Sequence, residues 1–296
     1  MNFRDFCVQC VGKLIPDKLW LQIKFHKWFG RSVDFKNPKT FNEKIQWLKL
    51  YDHNPKHIVM ADKYRAKIAL ADIIGEQFII PTLGVWDKFD EINFDELPDQ
   101  FVLKTTHDCG GVVICQDKST FDKKKAKKFL TQHLKRNYYL TAREWPYKHI
   151  KPRIIAEKFM IDESGKELKD YKVFNFGGEP YCIQVDFDRF IEHKKNLYDT
   201  DWNLLDFSFN YPSHPEIEIK RPDNLEEMLE LSRKIAKDEI FVRTDFYSIN
   251  GKTYVGEITY YPASGYGKFT PEKYDLMLGD MIKIPTDNKG EKQDNK

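Results

Sequence analysis

Hydrophobic and polar residues alternate along three stretches of the chain, and a turn that contains glycine interrupts each stretch. The stretches cover 101–115, 168–185 and 241–259, with turns at 105–110, at Gly177-Gly178 and around Asn250-Gly251. Alternation with a period of two is typical of β-strands that bury one face. Glycine readily adopts the positive φ angles of tight turns. The pattern therefore predicts three β-hairpins.

Helical spacing and helix-start signals dominate the first ninety or so residues. Thr40 and Glu43 form a capping box ahead of an apolar run, and Asp62 is a predicted N-cap for a helix over 63–74 that Gly75 ends. Hairpins with helices between them predict an α+β fold rather than a parallel, doubly wound sheet. Further helices are predicted over 122–136 and 223–239, and single strands over 78–80, 83–86 and 153–160.

Length and composition favour one catalytic unit with subdomains. The chain has 296 residues, of which 41% are hydrophobic and 15% aromatic, which is enough to form a substantial core. Lys+Arg 48 against Asp+Glu 46 leaves a net charge of +2. No global field therefore favours nucleic acid or anionic lipid, although a local basic site remains compatible with this balance.

Cysteine usage and hydropathy predict a cytoplasmic protein. The five cysteines have no framework spacing, and Cys7 and Cys10 form a lone C-x-x-C without a second pair, so we interpret all five as free thiols. The N-terminus lacks a signal-peptide pattern, and no stretch reaches the roughly 18 apolar residues of a membrane span. The polar tail over 285–296 is predicted to be disordered.

Charged and hydroxyl side chains concentrate on the third predicted hairpin. Arg243 and Asp245 are two residues apart on its first strand, and Glu257 and Thr259 are two apart on its second. Side chains two apart share a face of a strand, so each pair points in one direction. Whether the two pairs meet depends on the turn, because a slip of one residue moves a whole set of side chains to the other face.

Two turns are compatible with this hairpin. A two-residue loop at Asn250-Gly251 would place Asp245 opposite Gly256 and separate it from Glu257. A three-residue loop over 249–251 would place Arg243 opposite Glu257 and bring all four side chains together. We predict the three-residue loop. Two carboxylates and a hydroxyl on one face suit Mg²⁺, whereas the alternative is a solvated face with an Arg–Glu cross-strand pair.

Three other segments carry candidate chemistry. Lys104 ends a predicted strand before a loop with two glycines, which can bring an ammonium and backbone N–H groups onto phosphates; the alternative is an ordinary hairpin loop with a surface lysine. Glu157 lies at a strand end among apolar residues. Lys172 shares a strand face with Asp170, and the alternative there is a surface ion pair.

The order of these pieces resembles that of the ATP-grasp superfamily. A strand lysine and glycine loop come first, then a Glu-Lys-Phe hinge, a lysine on a hairpin strand, Arg-x-Asp and Glu-x-Thr. Further sequence segments resemble the TupA-like branch, which is associated with bacterial surface polysaccharides. The resemblance runs from about Asn37 to Ile282. These segments are Asn37-Pro-Lys-Thr-Phe-Asn-Glu-Lys44, Ala61-Asp-Lys-Tyr64, Leu97-Pro98, Asp170-Tyr-Lys172 and Gly256-Glu-Ile-Thr259.

The resemblance implies an architecture in which two subdomains with antiparallel sheets enclose ATP. It implies a helical N-terminal subdomain with short strands over 1–95, an ATP-grasp lid over 96–158 and a metal and nucleotide subdomain over 159–284, followed by the tail over 285–296. The implied cofactors are ATP and Mg²⁺.

The resemblance also implies roles for individual residues. Lys104 and Lys172 contact ATP phosphates, Lys63 is a further candidate, and the loop from His107 to Gly111 closes over the phosphates with Gly110 near its tip. Adenine or ribose lies beside Glu157, with backbone contacts from Lys158 and Phe159.

In this scheme the last hairpin binds the metal and contacts the transferred phosphoryl group. Asp245 and Glu257 hold Mg²⁺, with Glu257 bridging two ions, and Thr259 stands where many ATP-grasp enzymes have asparagine. Arg243 faces the transferred phosphoryl group. The segment over 260–266 is the implied substrate loop, with Ser264, Gly265 and Tyr266 as candidate contacts.

The implied activity is ATP-dependent ligation of a carboxylate to an amine through an acyl phosphate. The family setting implies a uronic-acid carboxylate of a polysaccharide or its precursor, an amino acid or other amine as co-substrate, no nucleic acid, and a loose association with membrane-bound glycan assembly. One alternative is a metal-dependent glycosyltransferase that uses Asp186-Phe-Asp188. Others are a non-catalytic glycan-binding relative and an ATP-grasp kinase.

Overall fold

Helices and antiparallel strands alternate along the chain, which confirms the α+β class. The computed structural model describes Val8, 11–162, 168–187 and 194–285. Cys7, Cys10, Asp188 and nearly all of the predicted tail lie outside these residues. The helices are α1 (Asp17–Phe29), α2 (Phe41–Tyr51), α3 (Pro55–Ala61), α4 (Lys63–Ile74), α5 (Lys123–Leu134), α6 (Tyr138–Ala142), α7 (Leu225–Ala236) and α8 (Lys273–Met281).

Two principal sheets are built from antiparallel pairs. The four-stranded sheet has the order β1-β4-β2-β3, the five-stranded sheet has the order β10-β9-β5-β6-β7, and β8 pairs with β11. All three predicted hairpins form. The strands are β1 (Thr82–Trp86), β2 (Phe101–Thr105), β3 (Val112–Cys115), β4 (Ile154–Lys158), β5 (Asp170–Phe176), β6 (Glu179–Phe187), β7 (Lys194–Asp199), β8 (Ser208–Phe209), β9 (Phe241–Ile249), β10 (Lys252–Thr259) and β11 (Phe269–Thr270).

The strand predicted over 78–80 is wrong. Glu76–Phe78 forms a 3₁₀ turn instead, and Ile79 makes a single parallel bridge to Val255. A short apolar run is compatible with either structure, because its periodicity does not distinguish a strand from a buried turn. The predicted strand over 83–86 does form, as part of β1, and pairs with β4.

Each principal sheet has its own hydrophobic core. In the four-stranded sheet, α5 covers a face that includes Phe101 and Leu103, with Leu130 packed from the helix. In the five-stranded sheet, α7 packs on β5, β6 and β9. Phe41 of α2 lies in this second core with its ring against Phe241, so the N-terminal helices and the C-terminal sheet share one interior.

Both predicted helix starts form as expected. The side chain of Thr40 accepts from the backbone N–H of Glu43, whose carboxylate accepts from the backbone N–H of Thr40. Asp62 accepts from the backbone N–H groups of Tyr64 and Arg65 and starts α4. These local bonds satisfy N–H groups that lack a partner in the first turn of a helix.

The turn between β9 and β10 differs from the prediction. Ile249 pairs with Lys252, so the loop has two residues, and Asn250 and Gly251 take φ angles of 50° and 75°. Both residues are left-handed, as a type I′ hairpin turn requires. The predicted three-residue loop is therefore wrong.

Within the described ranges, no helix has both the length and the apolar character that a membrane crossing needs.

Candidate active site

A bulge at Gly256 brings the acidic residues of the last hairpin together despite the two-residue turn. The register shifts between Val255 and Glu257, so Glu257 pairs with Asp245 and Thr259 pairs with Arg243. Directly paired residues point to one face of a sheet. The expected convergence of the four side chains is confirmed, whereas the expected pairing of Arg243 with Glu257 is wrong.

Asp245 is held by two cationic side chains. Arg243 donates from Nε and Nη2 to the two carboxylate oxygens of Asp245, both at 2.7 Å, and from Nη2 to Oγ1 of Thr259 at 3.1 Å. Lys172 Nζ lies 3.4 Å from Asp245 Oδ2. Burial alone lowers the pKa of the Arg243 guanidinium, but the nearby carboxylates, Asp245 first, outweigh it and raise that pKa. The arginine therefore stays charged at this site.

Lys172 lies in a buried network and not in a surface ion pair. Its Nζ is 3.2 Å from Asp170 Oδ1 and 3.4 Å from Asp186 Oδ2, and all three side chains are buried. Asp186 is the first acid of the D-x-D that motivated the glycosyltransferase alternative, and the second, Asp188, lies outside the described residues. Because β6 turns Asp186 towards Lys172, this acid belongs to the same charged layer as Asp245.

Glu157 lies between two lysines of different elements. Its carboxylate is 2.6 Å from Lys104 Nζ of β2 and 2.7 Å from Lys67 Nζ of α4. Burial alone raises the pKa of Glu157, but the two lysines outweigh it and lower the pKa to about 2. Sequence reasoning missed Lys67, although it lies four residues after Lys63 and such spacing places both on one helix face.

The predicted nucleotide contacts around Glu157 remain predictions. Both oxygens of the Glu157 carboxylate are engaged with lysines. The backbone N–H of Lys158 donates to Pro81 O at 3.0 Å, which leaves its carbonyl as the backbone group able to bind a ligand. The side chain of Lys158 is exposed, and Phe159 is half-buried.

The loop after β2 is held in place except at its tip. The Asp108 carboxylate accepts from Thr105 Oγ1 and also contacts the His133 ring. A Cβ on Gly111 would lie 1.8 Å from Thr105 Oγ1, so only glycine fits there. Cys109 and Gly110 alone are exposed in this loop. The prediction that this loop closes over phosphates therefore concerns its tip, Cys109 and Gly110.

His107 contributes to the stability of this loop. Its side chain is buried, and Nε2 lies 3.1 Å from Arg136 O. Burial lowers the pKa of this histidine, which favours the neutral ring near neutral pH. A neutral imidazole bonded to a carbonyl attracts phosphate less than a lysine does, so His107 supports the loop that carries Gly110.

Lys63 connects the loop after β2 with strand β10. Its Nζ donates to Asp108 O at 2.6 Å and lies 3.8 Å from Glu257 Oε1 of β10. The pKa of Lys104 is raised because nearby carboxylates, Glu157 first and then Glu257 and Asp170, outweigh its burial. The two sheets therefore turn their charged residues towards a shared cleft.

The predicted substrate loop is strained, and Lys49 of α2 anchors it. Ala263, Ser264 and Gly265 take φ angles of 48°, 55° and 65°, a run of left-handed conformations that is costly for residues with a Cβ. Lys49 Nζ donates to the backbone oxygen of Ser264 at 2.6 Å and lies 2.7 Å from its Oγ. Tyr266 stacks on Trp28 with ring centroids 6.3 Å apart.

Sequence reasoning missed Lys49 as an anchor. The residue lies on α2 and its side chain is buried, with burial lowering its pKa and Glu144 opposing that change. A lysine among alternating apolar residues of a helix gives no signal that distinguishes it from a solvated one. Its contact with Ser264 became visible only in the folded chain.

The carboxylates of the last hairpin fit Mg²⁺ bound together with phosphate. Mg²⁺ is usually held by one or two protein carboxylates, with water and phosphate oxygens completing the octahedron, and Asp245 and Glu257 form such a pair. In the described part of the chain, no cluster of three or more histidine, cysteine or acidic side chains is arranged to hold a metal. Lys104, Lys172 and Arg243 add three cationic side chains to this cleft.

Comparison with known proteins gives one family match. A family profile described as TupA-like ATPgrasp matches residues 43–283. No curated protein matches the chain.

Three solved structures with partial similarity to this chain are two D-alanine–D-alanine ligases and one ATP-grasp ligase. D-alanine–D-alanine ligase from Bacillus anthracis complexed with ATP is 18% identical over 76% of this chain and 63% of that chain, with a TM-score of 0.42. The Helicobacter pylori ligase of the same name is 18% identical over 82% and 69%, with a TM-score of 0.40. The ATP-grasp ligase PsnB is 11% identical over 73% and 59%, with a TM-score of 0.42. The chain thus spans less than two thirds of the first ligase.

Proposed function

The chain belongs to the TupA-like ATP-grasp family, and on this premise we propose that it is an ATP-dependent ligase that joins a carboxylate to an amine through an acyl phosphate. ATP and Mg²⁺ are the expected cofactors. The observation that carries the proposal is the direct pairing of Asp245 with Glu257 beside Arg243 and Lys172. That group faces Lys63 across the cleft.

The chemistry requires activation because a carboxylate is a poor electrophile. When bound, Mg·ATP would supply its γ-phosphoryl group to the carboxylate, with release of ADP. An amine would then displace phosphate from the resulting acyl phosphate and leave an amide. The protein contributes mainly by positioning the reactants and by stabilising negative charge. The family premise and the charged cleft together support this class of reaction.

The residues divide the work by charge. In this proposal Asp245 and Glu257 hold Mg²⁺, and Lys104 and Lys172 bind phosphate oxygens. Arg243 presents a planar guanidinium that spreads the negative charge of the transferred group. Because Arg243 already donates to Asp245 from Nε and Nη2, its plane is fixed before substrate arrives.

The substrate side of the proposal is an inference from the family setting. We propose a uronic-acid carboxylate of a bacterial surface polysaccharide or its precursor as the acceptor, and an amino acid or other amine as the nucleophile. The loop with Ser264, Gly265 and Tyr266 is the proposed contact with this substrate. Its left-handed backbone, held by Lys49, is a conformation of the kind that concentrates at functional sites.

Nucleotide-dependent release of ADP tests the proposal. We expect ADP release with a panel of uronic acids only when a free amine is present, and a loss of at least about 100-fold in Asp245→Asn. Asp223→Asn is the matched control, because Asp223 is highly exposed. Equal ADP release in the two variants would remove the assignment of Asp245 to the metal.

Other outcomes identify the alternatives. ADP release without any amine would indicate an ATP-grasp kinase. Thermal stabilisation by a UDP-sugar but not by ATP with Mg²⁺ would support the glycosyltransferase, and stabilisation by neither would support a non-catalytic binder, since a ligand stabilises the folded state that binds it.

A further inference from the structure

Helix α1 is apolar on two opposite faces. Its inward face carries Leu21 and Phe25, which are fully buried and pack with Val33 and Phe35. A helix of a globular protein normally buries one apolar stripe and presents polar residues on the other side. The outward face of α1 departs from that rule.

The outward face presents large aliphatic side chains to solvent. Leu19 is 51% exposed and Ile23 is 54% exposed, and their spacing of four places them side by side. Leu14, in the turn just before the helix, is 83% exposed. Single exposed aliphatic residues are common, whereas adjacent ones such as Leu19 and Ile23 are typical of a surface that binds an apolar partner.

Positive charge surrounds this apolar strip. Lys13, Lys18 and Lys27 are exposed, and within the described residues none of the three takes part in an ion pair. Asp17 is the single acidic residue over 11–31, and its carboxylate is bonded to Arg143 and Tyr139. The strip therefore has exposed lysines beside it, and the one acidic residue of its segment, Asp17, is 40% exposed but paired with Arg143.

The segment is rigidly presented. Arg143 lies at the end of α6, is buried, and donates to the carbonyl oxygens of Gly12 and Ile15. Trp20 Nε1 donates to Thr141 O at 3.3 Å. These bonds fix the turn with Leu14 and the start of α1 to the protein body, so the apolar strip faces outward as part of the folded structure.

We propose that α1 together with Leu14 forms a docking surface for an anionic lipid bilayer. Aliphatic side chains flanked by lysines on a helix that lies parallel to the membrane bury their apolar face at the headgroup boundary, while the lysines attract anionic lipids. Charge complementarity supports this occupant, because an apolar strip with lysines beside it matches lipid chains beneath anionic headgroups.

The apolar strip and the proposed substrate loop lie on different sides of α1. Trp28 belongs to the same helix and stacks on Tyr266 of the proposed substrate loop. Trp28 lies about 140° round the helix from Ile23, so docking through the strip would leave that loop on the side of α1 that faces the protein body. The docking proposal does not depend on the ligase reaction, since vesicle binding is measurable in a chain that fails every ligase assay.

Vesicle flotation tests the proposal with the full chain. We expect binding to vesicles that contain 30% phosphatidylglycerol in phosphatidylcholine, much weaker binding to pure phosphatidylcholine, and a decrease as salt rises. Quenching of tryptophan fluorescence by brominated phosphatidylglycerol should accompany binding. Absence of binding to the anionic vesicles would overturn the proposal.

Two pairs of variants locate the surface. Leu19→Gln with Ile23→Gln should weaken partitioning at least about tenfold. The matched control is Ile68→Gln with Leu276→Gln, whose side chains are 53% and 47% exposed on α4 and α8. All these positions are on the surface, and unchanged melting temperatures would show that folding is intact. Equal losses in the two pairs would overturn the assignment to α1.

Charge variants complete the test. Lys18→Gln and Lys27→Gln should each weaken binding about fivefold, as expected for a lysine near an anionic surface. Lys124→Gln with Lys125→Gln alters the lysine-rich helix α5 and should have a smaller effect. If the α5 pair abolished binding while the α1 variants bound normally, the docking surface would be α5 and the proposal would be wrong.

Discussion

Replacing Glu157 with glutamine removes one negative charge from between two lysines and keeps the length of the side chain. Lys104 and Lys67 then lose the carboxylate that both contact at less than 3 Å. Glutamine still accepts a hydrogen bond, so the variant isolates the charge. Removing one partner of a buried ion pair leaves an uncompensated buried charge, which is strongly destabilising.

The size of the effect follows from the pKa of Glu157. The folded protein lowers this pKa from the ordinary value of 4.5 to about 2. At about 1.4 kcal/mol for each pKa unit, the two lysines favour the charged form by roughly 3 kcal/mol at neutral pH. In a chain of this length such a loss lowers the melting temperature by about 5 to 10 °C.

Urea unfolding monitored by circular dichroism measures this loss. The control is Glu179→Gln, because Glu179 pairs with Arg233 at 2.9 Å in an exposed ion pair. Exposed pairs contribute from zero to about 1 kcal/mol, so the control should unfold nearly as the parent does. If Glu157→Gln lost no more unfolding free energy than Glu179→Gln, Lys104 and Lys67 would not stabilise the Glu157 carboxylate.

Three further predictions concern the same cleft. The stability difference between the parent and Glu157→Gln is fully present above pH 4.5 and should disappear as the pH falls towards 2. The reason is that a carboxylate with a lowered pKa stabilises the folded protein only while it is charged. Urea unfolding at a series of pH values measures this difference. Gly111→Ala should lower the free energy of unfolding by about 2 kcal/mol or more, because its Cβ would meet Thr105 Oγ1. Gly110→Ala meets no atom within 4 Å and should lower it by about 1 kcal/mol, because its φ is positive. Thermal melts of the two variants compare these losses. Cys109 is exposed, so maleimide labelling should report on the loop tip, and Mg·ATP should slow that labelling if the tip closes over phosphate; mass spectrometry of the labelled peptide decides.

The hairpins and helix starts were predictable because their signals are local. Thr40 and Glu43, and Asp62 with the two residues that follow Lys63, form their bonds within a single turn of chain. The last hairpin has the same bounds in sequence and structure. Its register was not predictable, because the bulge at Gly256 depends on a tertiary fit: a Cβ there would lie 2.7 Å from a ring atom of Tyr247.

The sequence by itself determined the three hairpins, the capped helix starts and the residue types of the charged cleft, since periodicity and capping act over a few neighbouring residues. Only the tertiary structure decided the partners of those residues. Glu157 lies between lysines from two distant elements, Lys172 is surrounded by carboxylates, and Lys49 reaches Ser264 far along the chain. Such contacts depend on how whole elements pack, and buried charges find partners only once those elements have come together.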